Sequence, residues 1–159
     1  MAEAGAAVVV RLRPERFEPL EALASWQGEL AARGCLPAAE AHFIGRVRPF
    51  TAAGAALEAL ELDHYPGMTE AEIGRQALAL ARRHHLSAVR VDHRVGRISA
   101  GEAIVLVAVC AERRGPAQRG LTELLEAIKH DAPFWKREWS GGQGTWVGNT
   151  PLGETGTLQ

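Results

Sequence analysis

Lys129 and Lys136 are the only lysines in a chain of 159 residues that carries sixteen arginines. A guanidinium keeps its proton at any usable pH, whereas an amine releases its proton when burial or a neighbouring cation lowers its pKa. A sequence that meets its general need for cations with arginine therefore marks the positions where it keeps an amine. Biased codon usage accounts for the many arginines, but not for both lysines falling seven positions apart. Lys129 is predicted in the last turn of a helix, where a lone lysine would serve only as a counter-charge to the helix dipole. Lys136 follows the break at Ala132-Pro133, on a strand whose alternation groups it with Phe134 and Glu138 and separates it from Trp135, Arg137 and Trp139. A chain reversal at Pro133 would bring both amines to one aromatic-walled pocket, where each depresses the other's pKa. That setting makes a nucleophile or a proton carrier.

Arginines supply the complementary chemistry. Arg46 and Arg48 are two apart on a predicted strand and so point to one face at its end. Arg113 and Arg114 follow an apolar strand and precede Pro116, which opens a helix. Cations at such a junction, beside free backbone N–H groups, suit a phosphate or carboxylate, with a solvated basic loop as the equal alternative. His93 occupies an apolar position of a strand and reads as a satisfied core histidine, and Cys110 reads as an inert buried thiol. No HExxH, GxSxG, phosphate-loop or dinucleotide signature occurs, so neither a metal nor a cofactor is expected and the chemistry falls to the cations.

Several elements are needed to hold these residues. Strands are expected over Ala7–Leu12, Ala38–Arg48, Ala56–His64, Val89–Val95, Ala103–Cys110, Phe134–Trp139 and Thr145–Val147. Helices are expected over Glu18–Arg33, Glu70–His84 with a Thr69-x-x-Glu72 capping box, and from Pro116 to about His130. This order implies an α+β fold, with helices on one side of a mostly antiparallel sheet. Residues 1–147 read as one domain, and the Gly- and Thr-rich stretch 148–159 as a flexible tail.

A hydrophobic share of 47% and a charged share of 23% suit a packed core rather than a disordered chain. A net charge of −1 argues against nucleic acid as the main partner. No apolar run approaches the roughly 20 residues of a membrane helix, and no secretory signal pattern is present. Two distant cysteines, Cys35 and Cys110, fit a reducing compartment, so a cytoplasmic protein is expected.

Four stretches together carry a resemblance: Phe43-Ile-Gly-Arg-Val-Arg48, Leu62-Asp-His-Tyr-Pro-Gly-Met68, His93-Arg-Val-Gly96 with Gly101-Glu102, and Lys129-x-x-x-Pro133-Phe-Trp-Lys-Arg-Glu138. In order and spacing, from about Ala38 to Val147, they resemble the catalytic large subunit of molybdopterin synthase. The resemblance implies a hammerhead-type α+β fold with an added small antiparallel sheet. It also implies a central homodimer, each copy binding a small ubiquitin-like sulfur carrier whose Gly-Gly tail enters the site as a thiocarboxylate. The implied reaction adds two sulfurs to cyclic pyranopterin monophosphate, opening the cyclic phosphate and forming the dithiolene of molybdopterin.

By motif position, Lys129 and Lys136 match the family's two lysines at the reacting centre. Arg48 matches the arginine that closes the family's G-x-V-R motif, with Arg46 beside it, and Arg137 and Glu138 fall in the substrate-contacting run. Arg113-Arg114 stands where the family usually has His-Arg, and the tail from Gly148 lacks the arginine that relatives can carry there. Those departures keep a second reading open, a non-catalytic or low-activity paralogue that docks a β-grasp carrier through its tail. A third reading, an unrelated acyl- or phosphate-transfer enzyme, would need no carrier protein.

Overall fold

The computed structural model describes residues 5–148, so the tail expected over 148–159 lies outside the described residues beyond Gly148. Eleven elements follow one another: β1 (Ala7–Arg13), α1 (Pro19–Ala32), β2 (Ala39–Arg46), β3 (Ala59–His64), α2 (Met68–His84), β4 (Ala88–Arg94), β5 (Gly96–Ser99), β6 (Ala103–Ala111), α3 (Arg114–Asp131), β7 (Phe134–Ser140) and β8 (Gln143–Val147). They build two four-stranded sheets, ordered β1-β4-β6-β2 and β5-β3-β7-β8. Only the β1–β4 pair is parallel. The α+β expectation, mostly antiparallel with a second small sheet, holds.

Strand alternation decides how the helices pack on the first sheet. Val89, Val91, Val107 and Val109 point to one face and join Ile73, Ala77 and Leu80 of α2 and Leu124 and Ile128 of α3 in the main core. Ala88, Leu106, Ala108 and Cys110 point to the other face, where Leu23, Trp26 and Leu30 of α1 cover them. The expectation of helices on one side is therefore true of α2 and α3 and corrected for α1. β6 is apolar on both faces because both are covered.

Three local expectations also change. β5 is an extra strand: Gly96, at φ 79, turns the chain after buried Val95, and the residues beyond it pair back on β3. A non-glycine residue is strained at that angle. β2 ends at Arg46 rather than Arg48, and the register shifts between Gly45 and Arg46 so that Ile104 faces no partner across the ladder. Thr69 makes no capping box. Gly67 precedes the first turn of α2, and the fully buried Thr69 hydroxyl accepts from the Tyr65 N–H at 3.2 Å and donates to the Pro133 carbonyl at 3.2 Å.

A charged network links the sheets. Asp92, fully buried, takes Arg13 at 2.7 Å and Arg90 at 2.7 Å. Arg94 donates to Glu102 at 2.8 Å and to the carbonyls of Arg13 and Arg97 at 3.2 Å each, fastening the β4–β5 corner to the end of β1. Buried cations persist only when paired and hydrogen-bonded, as these are.

Candidate functional site

A cavity of about 450 Å³ lies between the sheets, under the C-terminal end of α3. β2 supplies Phe43, Gly45 and Arg46, and the segment after it supplies Arg48. Space at Gly45 is tight, since a Cβ would come within 3.1 Å of the Phe43 ring and 3.2 Å of Val105 and one of those side chains would have to give. On α3, Leu125, Ile128, Lys129 and Ala132 recur at helical spacing and form the wall. Ile128 is buried in the core, so the helix cannot rotate and the exposed Lys129 is carried to the rim.

Lys136 arrives from the second sheet. In the β3–β7 ladder Leu62 opposes Lys136 and His64 opposes Phe134, and opposed residues share a face. Leu62 and Phe134 are buried, so this is the inner face and Lys136 is drawn in with them, half-buried. The tie from Thr69 to the Pro133 carbonyl fixes where the strand starts. Burial holds the Lys136 amine below the ordinary lysine range, and the charge of Lys129 adds to the effect.

The structure brings four of the eight sequence-predicted site residues together, namely Arg46, Arg48, Lys129 and Lys136. The other four stand apart in this chain. Arg137 lies on the opposite face of β7, bonded to Glu61 at 3.1 Å and set 4.4 Å from the Trp146 ring. Glu138 shares the face of Lys136 and opposes Leu60, but it does not line the cavity. Arg113 and Arg114 begin α3, exposed, and fifteen residues of helix put them about 22 Å from Lys129.

His93 is the core residue that its apolar strand position predicts. Its imidazole is 8% exposed, stacks on Phe134 with ring centroids 4.2 Å apart, and makes a 2.8 Å bond from Nδ1 to the Arg94 carbonyl. It also lines the cavity beside the lysines. Burial pushes its pKa down to about 4, with the Lys136 charge contributing and the Arg94 bond opposing. The alternation Val89, Val91, His93 was the signal available in the sequence, since it puts His93 on the face that meets α3.

The site is thus an apolar slot with four cations. The one carboxylate in its lining, Glu126, bonds His130 at 2.9 Å. Such a site binds an anion through arginine and offers an amine that can exchange a proton. Among the described residues no group of three or more His, Cys, Asp or Glu side chains could hold a metal ion.

Comparison with known proteins agrees with the motifs. The family described as MoaE protein matches residues 18–131, well over half of the chain. The molybdopterin synthase catalytic subunit of Mesorhizobium japonicum is 48% identical over 94 residues, and the match spans 58% of this chain and 59% of that protein. The one from Caulobacter vibrioides is 37% identical over 152 residues, spanning 93% of this chain and 94% of the relative. Among solved structures, the molybdopterin biosynthesis MoaE protein of Burkholderia ambifaria superposes with a TM-score of 0.71 at 34% identity, over 89% of this chain and 88% of that one. A complex of subunits 1 and 2 of the molybdopterin-converting factor from Helicobacter pylori aligns with a TM-score of 0.73, covering 87% of this chain and 89% of that one. At 19% identity it bears on the fold alone.

Proposed function

The chain belongs to the MoaE family, and from that membership we propose that it is the catalytic subunit of molybdopterin synthase. One observation carries the reading: Lys129 and Lys136 meet Arg46 and Arg48 in a single cavity, and Lys136 is the half-buried amine whose pKa is lowered. The substrate is cyclic pyranopterin monophosphate. The sulfur donor is a small β-grasp carrier whose C-terminal Gly-Gly thiocarboxylate reaches into the slot.

Each residue has a task that its chemistry permits. Arg46 and Arg48 grip the phosphate, whose charge and geometry guanidinium matches. The apolar walls from Phe43, Leu62 and Phe134 shield the reacting atoms from bulk solvent. As the thiocarboxylate sulfur attacks the pterin carbon, Lys129 neutralises developing negative charge and Lys136 moves protons between attacking and leaving groups. Water then cleaves the acyl–sulfur bond of the resulting carrier thioester, leaving the sulfur on the pterin and releasing the carrier as a carboxylate. Repetition with a second thiocarboxylate gives the dithiolene, and the cyclic phosphate opens on the way.

The proposal extends to a central pair of copies, each docking one carrier, and to a cytoplasmic setting. Among the described residues no helix is long and apolar enough to cross a membrane. Arg113 and Arg114 contribute in this scheme only where a second copy carries that end of α3 to the cavity. The same distance is the observation that favours the second reading, a docking module without turnover. The two part in one assay. Purified chain mixed with thiocarboxylated carrier and cyclic pterin yields dithiolene product on the first reading, and binds carrier without product on the second.

A further inference from the structure

The four cations of the cavity can only donate hydrogen bonds, because guanidinium and ammonium have no acceptor lone pair. They can hold a phosphate, but they cannot receive an N–H from a heterocycle. Of the remaining lining side chains only Glu126 and His93 can accept, and Glu126 is exposed and already engaged by His130. The others are apolar. His93 is therefore the one buried side chain of the lining that can accept.

Its orientation is fixed twice. The Arg94 carbonyl can only accept, so the 2.8 Å contact requires the proton to sit on Nδ1. The neutral ring then carries its lone pair on Nε2, and among the described residues no side chain or backbone group bonds that atom. Stacking on Phe134 at an interplanar angle of 17° sets the ring plane, and Phe134 is part of the same wall. A flat, nitrogen-bearing ring laid in this slot would meet the cations at its phosphate and an acceptor at its ring edge.

We propose that His93 is a specificity-determining residue, whose Nε2 accepts a hydrogen bond from an N–H of the pterin while the arginines hold its phosphate. The proposal rests on the functional reading given above, but its test does not require turnover. Burial keeps the imidazole neutral at working pH, so the acceptor is present throughout the physiological range.

The test uses the full chain and two variants. In His93→Asn the side-chain amide sits where Nδ1 does and retains the donor to Arg94, while the acceptor at the far edge is lost. In His93→Gln the longer amide puts an acceptor back near the position of Nε2. Binding of cyclic pyranopterin monophosphate, and separately of inorganic phosphate, is titrated without carrier. The expected result is about tenfold weaker pterin binding in His93→Asn, the loss of one buried hydrogen bond. Phosphate affinity is unchanged, and His93→Gln recovers to within about threefold. Unchanged pterin affinity in His93→Asn would overturn the proposal. So would an equal loss for pterin and for inorganic phosphate, which marks a general disturbance of the slot. A wild-type chain that binds pterin selectively through His93 but never converts it defeats the catalytic reading and leaves this one standing. A wild-type chain that binds no pterin defeats both.

Discussion

Lys136 is held where a cation is uncomfortable, and that discomfort has consequences on both sides of the folding equilibrium. Its amine is desolvated and faces a second ammonium, so its folded pKa lies below the unfolded value. Between those two values the unfolded chain binds the extra proton, so the fold gains stability as pH rises through that window. Replacing Lys136 with Met should therefore leave the melting temperature at neutral pH equal or higher while abolishing product formation. Lys129→Ala should also abolish product formation with little change in melting, because Lys129 is exposed. Arginine in place of Lys136 keeps the charge but cannot pass a proton, and should restore less than a hundredth of the rate.

His93 behaves in the same sense in acid. Its pKa is about 4 when folded against an ordinary 6.5, so its contribution is complete above pH 6.5 and is lost as pH falls toward 4. The span corresponds to about 3 kcal/mol. Unfolding titrations from pH 7 to 4 should show a shallower decline for His93→Gln than for the wild type. An identical slope would contradict a neutral buried imidazole.

At the scale of elements, the lysine pair depends on the corner where α3 ends and β7 begins. Thr69, at the start of α2, holds that corner through the Pro133 carbonyl. Thr69→Val keeps the volume and removes both bonds of the hydroxyl, which should cost about 1–3 kcal/mol in denaturant unfolding. Because β7 carries Lys136, the same variant should lower kcat more than it raises KM.

The sequence made this corner only half legible. Proline at 133 and the alternation from Phe134 announced the reversal and the strand. Thr69-x-x-Glu72 has the spacing of a capping box, but Glu72 is taken by Arg75 at 2.7 Å and Gln76 at 3.1 Å, and Thr69 turns to a partner 64 residues away. A local pattern cannot reveal so distant a bond. β5 escaped for a related reason, since four residues are too short for periodicity and only the φ of Gly96 separates them from β4.

Across the whole molecule, the site is a junction of two sheets and one helix end, and its parts come from residues between 43 and 136. The lysine pair was legible because composition isolated it. The arginine pair was legible in type, although the strand expected to carry both ends at Arg46. Arg137 and Glu138 were grouped with Lys136 by adjacency in the motif, and the pleat sends Arg137 to the other face, where Glu61 and two tryptophans hold it. Alternation already contained that separation. The distance between Arg113 and Lys129 was legible as well, since the sequence sets one before the first turn and the other in the last turn of a single helix.

The concentration of cations also sets a property of the molecule as a whole. Four positive side chains face one carboxylate in the cavity, so affinity for inorganic phosphate should fall severalfold between 50 mM and 500 mM salt. An affinity indifferent to salt would mean that the phosphate is held elsewhere.

The decisive measurement is the conversion of cyclic pyranopterin monophosphate by the purified chain with thiocarboxylated carrier, run beside Lys136→Ala with carrier binding measured in both. The wild type should form the dithiolene product, and the variant should bind carrier equally well and form none. Full conversion by Lys136→Ala, or none by a wild type that binds both carrier and pterin, would contradict the role assigned to this amine.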